Sequence, residues 1–443
     1  MSPAITATLV ILCILLIIYL TAGLKLHAFI SLFIVSLLLA FATLPAKTII
    51  TTIKEGFGST MGSIGFLIIL GAIIGVTLDK TGATVSIANY ILSRTGEKRS
   101  PVAMGITGFI TGLPIFCDSG FIILSGLARS FSAKAGIAMP FMATVLACSL
   151  YSVHCLIPPH PGALAAAGIF NVNLGYLILA GIIFAVPGSL AAYFWSKWIS
   201  KGRNYQPAED FVVKADISKI NHPSTILSFL PIVVPLILIT IKSLATLIDK
   251  AGNGLVTRIF MIPGEPVIAL TAGAVLSLFL LKEKSVASFN SVFTEAIARA
   301  GPILIVTAAG GMFGMVIKST GIGETMGRVL AGTNAGLAIP FLIAALLKTA
   351  QGSSTVAIIT AASFVYPMMP ALGLDTEWGR LFGMLAMGAG SMAVSHANDS
   401  YFWVVTNFSN LETDATLRVY STSTLIMGIT VFAFIWITSL LIL

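Results

Sequence analysis

The sequence SVHCLIPPHPG (152–162) interrupts a long apolar run, and this interruption decides the fold class. Three prolines and a glycine stand within five positions, at Pro158, Pro159, Pro161 and Gly162. Each proline removes a backbone donor and clashes with the preceding helical turn, so a regular helix cannot pass through this stretch. The apolar runs on both sides therefore predict a membrane-spanning helix that opens at this point.

The composition places this break in a membrane protein. Of 443 residues, 57% are hydrophobic and 9% are charged, whereas soluble domains have roughly half and roughly a quarter. Apolar runs of about 17 to 25 residues, long enough to cross a bilayer, recur along the chain. We predict an all-α polytopic protein of the cell inner membrane. Its net charge of +8 is spread over short loops that face anionic lipid, so a nucleic-acid partner is not expected.

Twelve apolar segments are predicted as helices, and three are too long or too broken to be simple spans. They lie near residues 5–21, 27–44, 62–79, 102–130, 136–157, 174–196, 225–247, 264–282, 300–318, 335–364, 379–406 and 420–442. A hydrophilic linker (196–223) separates an N-terminal transmembrane half (1–195) from a C-terminal half (224–443), and its basic residues predict a cytoplasmic position.

The two halves share an internal repeat at an offset of 239, with Gly75 matching Gly314 and Gly82 matching Gly321. Three pairs of segments recur in order: 67–83 and 304–322, TGLPIFCDSGFIIL (111–124) and KTAQGSSTVAIITA (348–361), and SVHCLIPPHPG and VSHANDSYFW (394–403). A duplication of this kind predicts two repeats packed about a pseudo-two-fold axis, with the solute site where their broken helices meet. Chance similarity between glycine-rich apolar segments is the alternative.

The break in the first repeat contains an acid, Asp118, followed by Ser119 and Gly120. A carboxylate inside an apolar span costs at least about 2.5 to 3.5 kcal/mol, which favours a functional role. We therefore assign these three residues to the substrate site. The alternative is that Asp118 caps a helix starting at Ser119.

The break at 158–162 adds Ser152, His154 and His160 to the predicted substrate site. Freed carbonyls and the N-terminus of the following helix form a polar spot that can hold an anion. The imidazoles could titrate and pass protons, or one of them could satisfy the broken backbone. A metal site is not expected, because the two prolines keep the imidazoles from a common helical face, and no cofactor is expected.

The second half carries neutral hydrogen-bonding residues at its first break. These are Gln351, Gly352, Ser353, Ser354 and Thr355, which suit the hydroxyls and carboxylate of a polyol acid. Alternatively, such residues bond back to helix carbonyls or hold helices together. Lys348 could supply positive charge for an anion, but we favour a side chain that snorkels to the interface.

The last polar segment contains His396, Asn398 and Asp399, which we also assign to the substrate site. A histidine and an aspartate three residues apart can form a proton-handling pair. The alternative is an interfacial turn in which Asn398 and Asp399 cap the next helix and the following aromatics mark the membrane surface. The proton-coupling candidates of the whole chain are Asp118, His154, His396 and Asp399.

These segments resemble the gluconate permease family of bacterial sugar-acid and proton symporters, and the resemblance spans essentially the whole chain. It is sharpest at PPHPGALAAAGIF (158–170), GSSTVAIITA (352–361) and SHANDSYFW (395–403), and looser at GFITGLPIFCDSGFIIL (108–124). The resemblance implies two inverted repeats with re-entrant hairpins and discontinuous helices, a homodimer, and uptake of an aldonate or related hydroxy acid driven by protons.

One departure concerns Asp118 and Ser119, where the family characteristically carries a glutamate followed by an apolar residue. A shorter acid and an added hydroxyl change the cavity, so a different hydroxy acid or a D-amino acid is conceivable. Sodium coupling, an uncoupled facilitator or channel, and an intramembrane enzyme remain alternatives. The enzyme is disfavoured because no nucleophile motif or metal-ligand helix accompanies these residues.

Overall fold

The computed structural model describes residues 3–95, 99–201, 205–208, 223–249, 254–321, 336–397 and 399–443. In these ranges the regular structure is helical. The helices are α1 (Pro3–Ile18), α2 (Ala28–Thr43), α3 (Ala46–Thr81), α4 (Ala83–Thr95), α5 (Ser100–Gly112), α6 (Cys117–Ala135), α7 (Met139–Leu156), α8 (Pro161–Phe170), α9 (Leu174–Ser200), α10 (Thr225–Ile248), α11 (Leu255–Phe260), α12 (Pro266–Leu278), α13 (Val286–Ser319), α14 (Ala338–Gln351), α15 (Ser354–Val365), α16 (Glu377–Met392), α17 (Ser400–Phe408), α18 (Thr413–Thr416) and α19 (Thr422–Ile442).

Six helical stretches in the described ranges are long and apolar enough to cross a membrane. They are Ala46–Thr81, Met139–Phe170, Leu174–Ser200, Thr225–Ile248, Val286–Ser319 and Thr413–Ile442. Large apolar side chains such as Ile183, Phe194 and Leu441 are exposed on the outside of the bundle, as expected for surfaces that face lipid. The predicted all-α polytopic class is confirmed.

The two longest helices, α3 and α13, cross each other as an antiparallel pair at the centre of the molecule. A methyl group on Gly56 would lie 2.7 Å from the Cα of Met312, so glycine is needed for this close approach. At 36 and 34 residues, both helices are longer than the predicted 62–79 and 300–318. The predicted range for α3 began too late because this helix starts with a polar stretch that includes Lys47, Lys54 and Glu55.

Each half contains two interrupted helix pairs, as the sequence predicts. The predicted 102–130 helix is split into α5 and α6, and α7 ends before the proline-rich break that precedes α8. In the second half, 335–364 is split into α14 and α15, and 379–406 into α16 and α17. The backbone is therefore irregular at four places inside the bundle.

The helix starts recur at a nearly constant spacing in the two halves. Ala46 and Val286, which start α3 and α13, are 240 positions apart, and Cys117 and Ser354, which start α6 and α15, are 237 apart. The counterpart of α4 falls in residues 322–335, outside the described ranges. Whether the two halves are related by inversion stays a prediction.

Contacts of residues 205–208 identify one face of the bundle, called here the linker face. The amide of Ala208 donates to Ser132 Oγ at 3.0 Å, and the amide of Met139 donates to the Gln206 carbonyl at 3.1 Å. The turn between α6 and α7 therefore lies at this face. Since α9 runs to Ser200, the predicted linker start at 196 falls inside a helix, and most of the predicted linker lies outside the described residues.

The turn between α15 and α16 lies at the opposite face. There Trp378, near the start of α16, stacks on Tyr176 at the start of α9 with ring centroids 5.5 Å apart. The 27 residues of α9 separate this contact from the linker face by about 40 Å at 1.5 Å per residue. The two sets of broken helices thus turn at opposite faces of the bundle.

Candidate substrate-binding site

Four helices begin at the irregular segments, and their N-termini meet inside the bundle. Phe116, the residue before α6, has its ring centroid 6.3 Å from that of His154 and 6.4 Å from that of His160, the residue before α8. A methyl group on Gly162 of α8 would lie 3.1 Å from the Cα of Thr355 in α15. Helix α17 joins them through Tyr401.

The Tyr401 contacts complete the junction. Its ring packs edge-on against Phe121 of α6, with centroids 6.1 Å apart, and its hydroxyl donates to the Ala147 carbonyl at 3.1 Å. Each of the four N-termini carries free amides and about half a positive charge from the helix dipole. Together the four helix dipoles favour the negative charge of a small anion at the junction.

The two predicted histidines are part of a chain of hydrogen bonds across the junction. His154 Nε2 lies 3.4 Å from Thr355 Oγ1, and His154 Nδ1 lies 3.2 Å from His160 Nδ1. His160 Nε2 lies 2.5 Å from the carbonyl oxygen of Gly112, the last residue of α5. Both imidazoles are buried, and the chain connects the break before α8 with both hairpin breaks.

A buried ion pair joins the second pair of breaks. Lys348 donates to Asp399 Oδ2 and to the Gly352 carbonyl, and its ammonium lies 5.7 Å from the ring centroid of Tyr151. The lysine side chain is 0% exposed and that of Asp399 is 5% exposed. The interpretation that Lys348 snorkels to the interface is therefore wrong, because its charge is compensated within the bundle.

His160 and Asp399 occupy equivalent places in the two halves. Each is the residue before a helix that follows a break, and they are 239 positions apart. His160 reaches the Gly112 carbonyl directly, whereas Asp399 reaches the matching Gly352 carbonyl through Lys348. Gly352 has φ 82°, a conformation that favours glycine and turns this carbonyl toward the lysine.

Asp118 lies in the first turn of α6 beside the ion pair. It does not cap the helix, since α6 begins at Cys117 after Phe116, so the capping alternative is wrong. Asp118 is close enough to Asp399 and Lys348 to interact with the charge of both. Its Oδ1 atom is buried and has no hydrogen-bond partner in the described part of the chain.

The neighbours of Asp118 have structural contacts. Ser119 Oγ accepts a hydrogen bond of 3.1 Å from Arg299 of α13, a residue that the sequence analysis did not single out. A methyl group on Gly120 would lie 2.8 Å from Leu150 Cδ2, so this glycine permits α6 to pack tightly on α7.

The hydroxyl-rich break of the second half has mixed roles. Ser353 caps α15 by accepting from the Val356 amide at 3.3 Å. Ser354 is within hydrogen-bonding reach of the Tyr151 hydroxyl, and Thr355 meets His154 as described. Gln351 is the last residue of α14, and its side chain lies outside the described part of the structure.

Three further predicted residues lie away from the junction or cannot be placed. Ser152 is buried and bonds to Ser189 of α9 at 2.7 Å, which holds two helices together. The His396 imidazole donates to the Thr349 carbonyl at 3.2 Å, and the bond between His396 and Asp399 joins the Asp399 amide to the His396 carbonyl. Asn398 lies outside the described residues.

The contacts of Asp399 confirm one part of the capping alternative and contradict another. Its Oδ1 atom accepts from the Tyr401 amide at 3.0 Å and caps α17. Tyr401 and Phe402 are buried in the bundle, so these aromatics do not mark a membrane surface.

The sequence matches the family described as GntP family permease over residues 5–441. This chain belongs to the GntP permease family. The predicted family resemblance is confirmed, and the GntP permease described here is a multi-pass protein of the inner membrane.

Three relatives illustrate the similarity. The inner membrane permease YgbN of Escherichia coli (strain K12) is 31% identical over 430 residues, 93% of each chain. The Gnt-II system L-idonate transporter of the same strain is 31% identical over 412 residues, 92% of each chain. The high-affinity gluconate transporter of Escherichia coli (strain K12) is 29% identical over 402 residues, 90% of this permease and 91% of that protein.

A solved structure supports the fold. The structure of MtrF from Neisseria gonorrhoeae aligns with this permease with a TM-score of 0.64 and 14% sequence identity, covering 88% of this chain and 85% of that one. At this identity the likeness extends to the fold alone.

Proposed function

We propose that this permease imports a small hydroxy-acid anion, gluconate or a related aldonate or glycerate-type sugar acid, by proton symport. The observation that carries the proposal is the junction of four helix N-termini around one acid, Asp118, whose buried Oδ1 atom has no hydrogen-bond partner among the described residues. The names of the L-idonate and gluconate transporters among its relatives support a sugar-acid substrate.

The anion is held mainly by the backbone. Free amides at the starts of α6, α8, α15 and α17 face the junction, and helix dipoles favour negative charge there. The hydroxyls of Ser354 and Thr355 supply the directional hydrogen bonds that a polyhydroxy acid needs.

Charge at the junction explains why a proton accompanies the anion. Lys348 and Asp399 neutralise each other, so Asp118 leaves one negative charge before the solute arrives. A second carboxylate in the same buried space is unfavourable unless one of the two takes a proton. Proton and anion therefore favour each other's binding, and by linkage this coupling is reciprocal.

Asp118 fits the proton-carrying role better than the other three candidates. Asp399 is bound by Lys348, Ser395 and the Tyr401 amide, and protonation would strand the buried lysine. His154 is engaged on both ring nitrogens, and His396 lies at the edge of the site. Of the four candidates, only Asp118 has a buried side-chain oxygen that is without a partner in the described ranges.

We further propose that the two halves are inverted repeats that alternate access to the junction. This is supported by the recurring helix starts and by the turns of the two broken-helix sets at opposite faces. The family is one of transporters, so we propose that the protein is not an enzyme. The homodimer stays a prediction that light scattering of the purified protein can test.

Uptake into proteoliposomes tests the proposed function. Purified permease is assayed with radiolabelled gluconate, glycerate and D-serine under an inward proton gradient, an inward sodium gradient, or no gradient. Concentrative uptake of a sugar acid with the proton gradient alone is the expected result. Uptake that equilibrates without concentrating in every condition contradicts symport and favours a facilitator, and sodium-driven accumulation contradicts proton coupling.

Substrate class is decided in the same assay. Accumulation of D-serine in preference to both sugar acids contradicts the hydroxy-acid assignment. Recovery of a chemically altered solute from the vesicles contradicts the proposal that the protein is only a transporter.

A further inference from the structure

A network of charged side chains lies between the junction and the linker face. The Arg299 guanidinium donates to Glu295 at 2.6 Å, to Asp79 at 3.2 Å and to Ser119 Oγ at 3.1 Å. Lys80 bonds to Glu295 at 2.9 Å and extends the network. The side chains of Arg299 and Glu295 are about one-third exposed, so the network borders water.

The network connects the scaffold to one hairpin. Asp79 and Lys80 end α3, Glu295 and Arg299 belong to α13, and Ser119 lies in the first turn of α6. Of these contacts, only the bond from Arg299 to Ser119 reaches the α5–α6 hairpin. Ser119 directly follows Asp118, so the bond ends one residue from the acid at the junction.

The position of the network identifies the face it closes. Shortly after α3, Ser86 donates at 2.8 Å to the carbonyl of Pro223, at the end of the predicted linker. The C-terminal end of α3 and the network therefore lie toward the linker face. The Arg299–Ser119 contact therefore lies on the side of the junction that is turned toward this face.

Among the described residues, the positions that correspond to this network in the other repeat do not form an equivalent one. At the spacing of 240 that relates α3 and α13, Arg299 corresponds to Ser59 and Asp79 corresponds to Ser319. Ser59 bonds to the Gly56 carbonyl and Ser319 to the Met315 carbonyl, each within its own helix. The arginine bridge is thus specific to the linker face.

We propose that Arg299 is the gate residue of the linker face, holding the α5–α6 hairpin closed over the junction through Ser119. Release of this one bond is inexpensive, because Arg299 keeps Asp79 and Glu295 as partners and Ser119 gains water when the hairpin moves. Breaking the Lys348–Asp399 pair would instead strand a buried charge. Opening on the linker face therefore proceeds at the Arg299–Ser119 contact.

A native cysteine reports this opening. Cys117 is buried, begins α6 and lies two residues before Ser119, so its thiol becomes reactive only when the junction opens. In a background where Cys13, Cys148 and Cys155 are replaced by alanine, a membrane-impermeant thiol reagent is applied to vesicles of each orientation. A Gln206→Cys variant identifies the orientation that exposes the linker face, since Gln206 is exposed there.

Ser119→Ala is the sharpest variant, because it removes the bridge to the hairpin and leaves the ion pairs of Arg299 intact. We expect Cys117 to react about three- to tenfold faster from the linker face, as for loss of one hydrogen bond of ordinary net strength at a site that borders water. Arg299→Gln should also raise the reactivity of Cys117 from the linker face. The reactivity in Arg299→Lys should lie between that in Arg299→Gln and that in the parent. Reactivity from the opposite face should not rise in any of them.

Asp414→Asn provides the matched control. Asp414 lies on α18, and its carboxylate forms an exposed ion pair of 2.7 Å with Arg418 that the substitution breaks. The substitution should leave Cys117 reactivity unchanged. Unchanged linker-face reactivity in both Ser119→Ala and Arg299→Gln overturns the proposal, and so does an equal rise at both faces, which indicates general loosening. The gate proposal rests on the transport function proposed above. Because the thiol assay needs no solute, the gate proposal can hold or fail independently of the proton-symport assignment.

Discussion

His154 Nδ1 and His160 Nδ1 face each other at 3.2 Å, and their outer contacts fix which ring donates. A carbonyl only accepts, so His160 Nε2 must donate to Gly112. With both rings neutral, His160 Nδ1 is then the acceptor, His154 Nδ1 is the donor, and His154 Nε2 accepts from the Thr355 hydroxyl. Addition of one proton to His154 forces that hydroxyl to turn around.

This chain of hydrogen bonds predicts that the stabilities of variants at the two histidines are strongly coupled. His160→Ala leaves the Gly112 carbonyl and His154 without their partner, which should lower the free energy of unfolding by about 1 to 3 kcal/mol. His154→Ala should cost a similar amount. The double variant should cost less than the sum by at least about 0.5 kcal/mol. Thermal unfolding of purified protein in detergent measures all three, and additive effects would contradict a shared chain.

The Lys348–Asp399 pair predicts a large and asymmetric cost. Lys348→Met should destabilise the protein by about 3 to 5 kcal/mol, because it leaves Asp399 buried and charged without its cation. Asp399→Asn in the same chain should restore much of the loss, since asparagine removes the charge and can still cap α17. A double variant no more stable than Lys348→Met alone would show that the charge balance is not the cause.

Proton coupling at Asp118 predicts that a variant of this residue exchanges solute across the membrane but does not accumulate it. Asp118→Asn keeps the size of the side chain but cannot bind a transported proton. We expect solute exchange between loaded vesicles and medium to persist, while uptake loses its response to an imposed pH gradient. Asp118→Glu should retain the response. If Asp118→Asn still accumulates solute against its gradient, the proton is carried elsewhere.

Two glycines on α3 give a matched test of the central crossing. Gly56→Ala places a methyl group 2.7 Å from the Met312 backbone, which should cost about 1 to 3 kcal/mol by overpacking. Gly58→Ala has no atom within 4 Å of the new methyl group and should be neutral or stabilise the helix by about 0.5 to 1 kcal/mol. Equal melting temperatures for the two variants would argue against the tight α3–α13 crossing.

The breaks were predictable from sequence because proline, glycine and polar residues in apolar runs leave few alternatives. His154, His160, Asp399 and Thr355 do lie together, as the repeat predicts. The partner of Lys348 was missed because it is 51 positions away and no local pattern links the two. An unpaired lysine and an unpaired aspartate in two breaks expected to meet were the signal that could have joined them.

Arg299 was missed for a different reason. It follows Glu295 by four residues at the polar start of a helix, a pattern that usually means a solvated surface pair. Its contact with Ser119 spans 180 positions and depends on how α13 crosses α3 and α6. Only the assembled bundle reveals it.

In the proposed site, the attraction for the anion comes from peptide groups, which no substitution of a side chain removes. The residues proposed to contact the solute, such as Asp118 and Ser119, can therefore vary while the electric field of the four helix ends persists. A change of substrate then needs few mutations and does not rebuild the site. This separation of affinity from selectivity makes the scaffold readily evolvable, and it locates the chemical identity of the cargo in a handful of positions around the start of α6.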